Sequence, residues 1–128
     1  MKYNTLYRFE NVTKKTTIAD RGWIARTAFQ RMRGLLGFVQ LETGQGLFLK
    51  PGGCIHMRGM KFPLDIIFVN RQMKVVRVFE NVQPERRWKL WKMTSGGWKA
   101  SACFEIPIGT VEKTSTEVGD TIHFKKVS

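Results

Sequence analysis

Cys54, His56 and Asp65, near the middle of the chain, have the side-chain types and spacing that chemistry requires. Cys54 and His56 are two residues apart, so in a strand both side chains point to the same face. A thiolate beside an imidazole forms a nucleophile, and the same pair supplies half of a zinc site. In the structural interpretation, Cys54 is a small buried residue and His56 a hydrogen-bonded one. We favour that interpretation and keep the chemical one open.

Asp65 stands directly before the apolar run 66–69. A lone carboxylate is costly to bury unless it is paired with a cation or accepts backbone N–H groups. His56, Arg58 and Arg33 are candidate partners by position. We expect Asp65 to fix the preceding loop to the strand; the alternative is that it lines a pocket. The residues predicted to line such a pocket are Cys54, His56, Met60, Asp65 and Arg33, with Met60 also suited to a core position.

A basic and aromatic segment near residues 86–99 points to a different function. It contains Arg86, Arg87, Trp88, Lys89, Trp91, Lys92, Trp98 and Lys99, and no acidic residue. Cations neutralise phosphates and indoles stack on bases, as in proteins that track single-stranded nucleic acid. The same pattern suits a membrane surface or a protein partner. In the structural alternative, the tryptophans pack over one end of the sheet and the lysines are solvated.

Composition limits the classes of function. The chain has 128 residues with 22 Lys and Arg against 10 Asp and Glu, a formal net charge of +12, which favours an anionic partner such as nucleic acid. Two cysteines are too few for a disulfide scaffold. No zinc, phosphate-loop or dinucleotide fingerprint occurs, so we expect neither a metal nor a cofactor. No apolar run reaches the roughly 20 residues of a membrane helix, and residues 1–8 lack the apolar core and the cleavage site of a signal peptide, so we expect a cytoplasmic protein.

The elements that must position these residues follow from hydrophobic periodicity. Alternating or continuous apolar runs predict strands at 5–12, 15–18, 46–50, 54–56, 65–70, 74–80, 102–106 and 121–126, with a turn at 20–22. The strands at 65–70 and 74–80 should form a hairpin. Helical spacing predicts one helix near 27–38, with Thr27 as its N-cap and Gly34 near its end. A second, short helical or irregular link covers 109–117. The chain is therefore a β-rich α+β domain spanning residues 1–128.

Several motifs together resemble a known family. They are Arg33 to Gly37, Gly46 to Phe48, Cys54 to His56, Met60 to Val69, Phe104 to Gly109 and Val118 to Asp120. This combination resembles the bacterial and archaeal domain of unknown function 192 from about residue 25 to residue 124. The resemblance implies a small single domain with a strongly curved or barrel-like, mainly antiparallel sheet and one or two short helices. It implies no reaction.

The sequence supports two functions of different classes. One is a non-enzymatic binding or accessory protein that engages an anionic partner through the basic segment. The other is a small-molecule site, with or without catalysis, beside Cys54, His56 and Asp65. The two are separated by whether these three side chains converge on a pocket.

Overall fold

Nine β-strands and a short helix have defined bounds within the residues that a computed structural model describes, namely 5–27, 30–31, 34–86 and 93–127. The strands are β1 (Tyr7–Asn11), β2 (Thr16–Ala25), β3 (Gln45–Leu49), β4 (Cys54–His56), β5 (Leu64–Val69), β6 (Val75–Val82), β7 (Met93–Ser95), β8 (Ala102–Ile106) and β9 (Ile122–Lys126). The helix α1 (Thr110–Thr114) lies between β8 and β9.

Seven of the strands form one sheet in the order β6-β5-β8-β3-β2-β1-β9, and β4 and β7 form a small second sheet. Neighbours pair antiparallel except β2 and β3, which are parallel. The sheet curls until its edges approach each other. Val75 N donates to Asp120 O at 2.8 Å, and Ile122 N donates to Met73 O at 2.9 Å. The expected strongly curved, mainly antiparallel sheet is confirmed.

The two most apolar strands, β5 and β8, lie near the centre of the sheet and are buried along their whole length. Because side chains alternate between faces, β5 contributes to two cores. Ile67 and Val69 pack with Phe9 and Phe104 in one cluster. Ile66 and Phe68 pack in a second cluster on the other face, with Leu47 and Cys103 among its members. The predicted hairpin of β5 and β6 is also confirmed.

The turn predicted at 20–22 is wrong, because β2 runs without a break from Thr16 to Ala25. Gly22 pairs with Tyr7 on one side and with Gly46 on the other. A Cβ atom at Gly22 would lie 2.5 Å from Cζ of Phe9. Glycine at this position leaves room for the ring of Phe9 to pack directly on the strand backbone. Glycine within a strand often marks such a close approach.

The helix predicted near 27–38 is described in part, since residues 28–29 and 32–33 lie outside the described ranges. Thr27 is its cap: its Oγ1 accepts from Gln30 N at 3.0 Å, and Gln30 Oε1 accepts from Thr27 N at 3.1 Å. This reciprocal pair is a capping box. Gly34 has φ +50°, the left-handed conformation expected at a helix end, and residues 34–37 form turns. The helical prediction thus holds at its start and is too long at its end.

Candidate functional site

A cleft of about 260 Å³ lies between the second sheet and the segment that follows Thr27. Four polar or ionisable side chains line it: Arg31, Cys54, His56 and Glu105. Apolar side chains supply most of the remaining wall, namely Leu35, Leu36, Leu49, Met60 and Met93. An apolar cavity with a few convergent polar groups is the usual form of a small-molecule site.

Strand β4 brings Cys54 and His56 to this cleft together. The strand pairs with β7, with Cys54 opposite Ser95 and His56 opposite Met93. Ile55 between them is buried and faces the core, so its two neighbours face the other way, as the spacing predicted. His56 Nδ1 accepts a hydrogen bond of 3.2 Å from Arg58 N. In the neutral ring, the proton is therefore on Nε2.

Glu105 is the most unusual group in the cleft. It lies in the middle of β8 and is 7% exposed. No hydrogen-bond donor among the described residues contacts its carboxyl group within bonding distance, and burial raises the pKa of this carboxyl to about 7. Its Oε1 lies 3.8 Å from the position where a Cβ of Gly34 would be. An acidic group thus reaches the cleft from the core, and none of the described residues pairs with it.

The two cysteines differ in accessibility. Cys54 is exposed, so the structural interpretation of it as a small buried residue is wrong. Cys103, two residues before Glu105 on β8, is fully buried. Burial raises the pKa of the Cys103 thiol well above its ordinary value, and the charges of Glu105 and Cys54 raise it further. A buried thiol of high pKa is chemically inert, so Cys54 is the thiol that a molecule in the cleft would meet.

Asp65 does not line the cleft. It is 1% exposed, and its carboxylate accepts N–H groups from Asn81 at 2.9 Å and from Val111 at 3.0 Å. These backbone bonds are one of the two ways in which a buried carboxylate avoids a large desolvation cost. The partners of Asp65 are therefore two main-chain amides and not the side chains proposed from sequence position. Through them the carboxylate joins β5 to β6 and to the start of α1.

The other predicted pocket residues have different outcomes. Met60 lines the cleft and packs against the second core cluster. Arg33 lies outside the described residues, but Arg31, two positions earlier, lines the cleft. Sequence reasoning missed Glu105 and Arg31. The available signal for Glu105 was an acidic residue between Phe104 and Ile106 in an otherwise apolar strand.

The basic segment is described only at its two ends. The residues 87–92, which include Arg87, Trp88, Lys89, Trp91 and Lys92, lie outside the described ranges. Arg86 is exposed at the first end. Trp98 is 90% exposed at the second, with Lys99 Nζ 5.3 Å from the centre of its indole ring. Trp98 therefore does not pack over the sheet, contrary to the structural alternative considered for the tryptophans.

A larger and more open hollow of about 800 Å³ lies beside β6 and β7. Phe79, Arg86 and Met93 contribute to its wall. Arg86 and Met93 are the residues that flank 87–92 in the sequence, so the lining of this hollow is defined only in part. The smaller cleft also borders residues outside the described ranges, since Gly34 and Met93 line it, but it has the convergent ionisable groups and is therefore the stronger candidate.

Two further findings apply to the described residues. No group of three or more His, Cys, Asp or Glu side chains within those ranges is arranged to hold a metal ion. Within the same ranges, no helix has the length and apolar character needed to cross a membrane. The cytoplasmic location stays a prediction from the sequence.

Three known proteins resemble this chain in sequence or fold. The chain is 29% identical over 120 residues to a "UPF0127 protein" of Thermococcus sibiricus, covering 90% of this chain and 73% of that protein. A crystal structure of a protein of unknown function from Novosphingobium aromaticivorans matches with a TM-score of 0.75 and 23% identity, over 92% of this chain and 83% of the other. A structure named "a putative transcription regulator" from Sinorhizobium meliloti matches with a TM-score of 0.79 and 20% identity, over 97% and 96%.

These structural similarities establish the shared fold and carry no activity to this chain. The family model is more direct, because it matches residues 10–124, nearly the whole curved sheet. The expected resemblance is confirmed: the chain belongs to the domain of unknown function 192 family, which is described as "Uncharacterized ACR".

Proposed function

We propose that this protein binds a small molecule in the cleft formed by Cys54, His56 and Glu105. One observation carries the proposal: Glu105 presents a buried carboxyl to an open cleft, and none of the described residues donates a hydrogen bond to it. Among the described residues, Ser101 Oγ is the one fully buried side-chain oxygen without a partner, so the oxygens of Glu105 reach the cleft. A donor on a bound molecule can take the place of water there.

The energetics support the same proposal. A carboxyl group that is 7% exposed loses most of its hydration, which disfavours its charged form. An apolar side chain at position 105 would avoid that desolvation, so the carboxyl group is retained at the expense of stability. Such a cost is typical of groups that act on a ligand rather than on the fold.

The surroundings of Glu105 suit recognition. Cys54 supplies a thiol and His56 an imidazole on the same wall, and the apolar side chains opposite provide contact area. The cleft is slightly smaller than the roughly 300–1,000 Å³ of sites for drug-sized ligands. The ligand is therefore a small metabolite-sized molecule, and the proposed activity is binding.

The proposal can be tested by mapping amide chemical shifts of ¹⁵N-labelled protein against a panel of small polar fragments. We expect a subset of fragments to shift the amides of Gly34, Cys54, His56 and Glu105. Glu105→Gln should lose these shifts, whereas Glu112→Gln, at an exposed position on α1, should retain them. Shifts confined to other surfaces, or shifts unchanged in Glu105→Gln, would refute the site.

A second candidate function rests on Trp98. This exposed indole lies on a firmly held turn: Gly96 N donates to Gly53 O at 2.9 Å, and Ala100 N donates to Gly97 O at 3.1 Å. Lys99 and the exposed Arg71 border the same shallow surface. An indole displayed beside two cations suits an anionic partner such as single-stranded nucleic acid, for which the protein would act as a binding or accessory component.

Gel-shift titrations with single- and double-stranded nucleic acid at about 50 and about 200 mM salt test this second candidate. We expect binding to single strands that weakens steeply as salt rises and that is lost in Trp98→Ala. Binding that changes little with salt would exclude recognition through phosphates. Equal binding by Trp98→Ala would show that the indole is not the contact.

A further inference from the structure

Two groups whose charged forms are opposite in sign line the cleft without pairing with each other. Arg31 and Glu105 both contribute to its wall, yet no ion pair within 4.0 Å joins them. The one hydrogen bond that the guanidinium of Arg31 makes with a described residue is long, from Nη1 to the backbone oxygen of Arg26 at 3.4 Å. Since a guanidinium has five N–H donors, most of its capacity is available to a ligand. The cleft therefore offers one anionic and one cationic contact.

The wall between these two groups is apolar. Leu35, Leu36, Leu49, Met60 and Met93 line it, and two of the five are methionines, whose flexible side chains adapt to the shape of a ligand. A ligand that matches this surface has an apolar body and two charged groups. Its positive group would meet Glu105 and its negative group Arg31, whose planar fork suits a carboxylate.

We infer that the ligand is a small zwitterion with an apolar side chain, of the class of leucine or methionine. The inference rests on the proposed binding function of the same cleft and adds the chemical class of the molecule. The ammonium group donates to the Glu105 carboxylate, the carboxylate accepts from Arg31, and the side chain contacts the leucine and methionine wall. Cys54 and His56 border the bound molecule but bind neither of its two charged groups.

The affinity of the native protein for L-leucine and L-methionine, measured by calorimetry and by amide shifts, tests this class. N-acetyl-L-leucine lacks the ammonium group, and L-leucinamide lacks the carboxylate. Because a hydrogen bond between charged groups contributes more than a neutral one, we expect each analogue to bind at least about tenfold more weakly than leucine. Glu105→Gln and Arg31→Gln should each lose about tenfold or more, and Arg21→Gln, an exposed arginine outside the cleft, should lose none.

The outcomes separate this inference from the function on which it rests. If L-leucinamide bound as tightly as leucine, the carboxylate contact would be refuted. If uncharged fragments shifted the amides of Gly34, Cys54 and Glu105 while no amino acid did, the zwitterion class would be wrong and the binding site would stand. If neither kind of compound shifted those amides, both the class and the site would be overturned.

Discussion

The carboxylate of Asp65 accepts the backbone N–H of Val111 at 3.0 Å, across 46 positions of the sequence. Its other oxygen accepts the N–H of Asn81 at 2.9 Å. Through these bonds a single buried side chain joins β5 to the bulged end of β6 and to the first turn of α1. Asn81 has φ +53°, so its amide is held in a conformation that ordinary residues seldom adopt.

Replacing Asp65 with asparagine should destabilise the protein by about 2–3 kcal/mol. The new amide group would point N–H donors at a backbone donor, leaving a buried N–H without an acceptor. Urea unfolding monitored by circular dichroism measures the effect. Asp20→Asn is the control, because Asp20 is exposed and its change should stay within about 0.5 kcal/mol. Equal stability of Asp65→Asn and the wild type would contradict the structural role.

Glu105 should make stability fall as pH rises. The folded protein retains the proton up to about pH 7, whereas the unfolded chain releases it near 4.5. Since the folded state binds more protons between these values, the free energy of unfolding decreases over that range and levels off above about pH 8, by up to about 3 kcal/mol in total. Glu105→Gln should match the wild type near pH 4 and exceed its stability near pH 8. A pH-independent difference between the two proteins would show that Glu105 is not the titrating group.

Asp120 should have the opposite pH dependence. Burial raises the pKa of this carboxyl, but hydrogen bonds from Asn11 and Lys14 lower it by more, so it lies below its ordinary value of 3.8. The stabilisation is present above that value and is lost as pH falls through the folded-state pKa. Asp120→Asn should be destabilised by roughly 1–3 kcal/mol at pH 7 and by much less near pH 2. An equal loss at both pH values would assign the effect to packing instead of charge.

Cys54 should be the only thiol that iodoacetamide modifies in the native protein. It is exposed in the cleft, and Cys103 is buried with a raised pKa. Mass spectrometry should find one adduct in the wild type, none in native Cys54→Ser, and labelling of Cys103 only after denaturation. Saturating L-leucine should slow the labelling of Cys54. Rapid labelling of Cys103 in the native protein would contradict its burial.

Trp98→Ala should leave stability within about 0.5 kcal/mol of the wild type, because the indole is 90% exposed. Any nucleic-acid binding should nevertheless be lost, and thermal unfolding combined with the gel shift separates the two effects. The matched variant is Gly96→Ala. A Cβ atom there would overlap the ring of Phe68, so this change should lower stability as well. A large loss of stability in Trp98→Ala would show that the indole is packed in solution.

The order of the elements could be predicted because β5 and β8 are short, continuous apolar runs and because Thr27 has a capping partner three residues later. The length of β2 could not be predicted, because a glycine at position 22 indicates a turn unless the packing of Phe9 on it is known. That contact joins two strands and is invisible to local periodicity.

The candidate site could be predicted only where local geometry decides it. The common face of Cys54 and His56 follows from the alternation of side chains along a strand. The role of Asp65 depends on partners 16 and 46 positions away, which no local pattern specifies. Glu105 could be placed on a strand, but its access to a cleft depends on how the segment containing Arg31, Gly34 and Leu35 covers β8.

The most direct test of whether Glu105 binds a ligand is a pH titration of its side-chain carboxyl group. The titration is followed by ¹³C nuclear magnetic resonance, with and without L-leucine. Without leucine, the midpoint should lie near pH 7, because burial disfavours the charged form of the carboxyl group. With saturating leucine it should fall, because an ammonium group beside the carboxyl favours the ionised form. A midpoint near 4.5 in the free protein, or one near 7 that leucine leaves unchanged, would contradict the account.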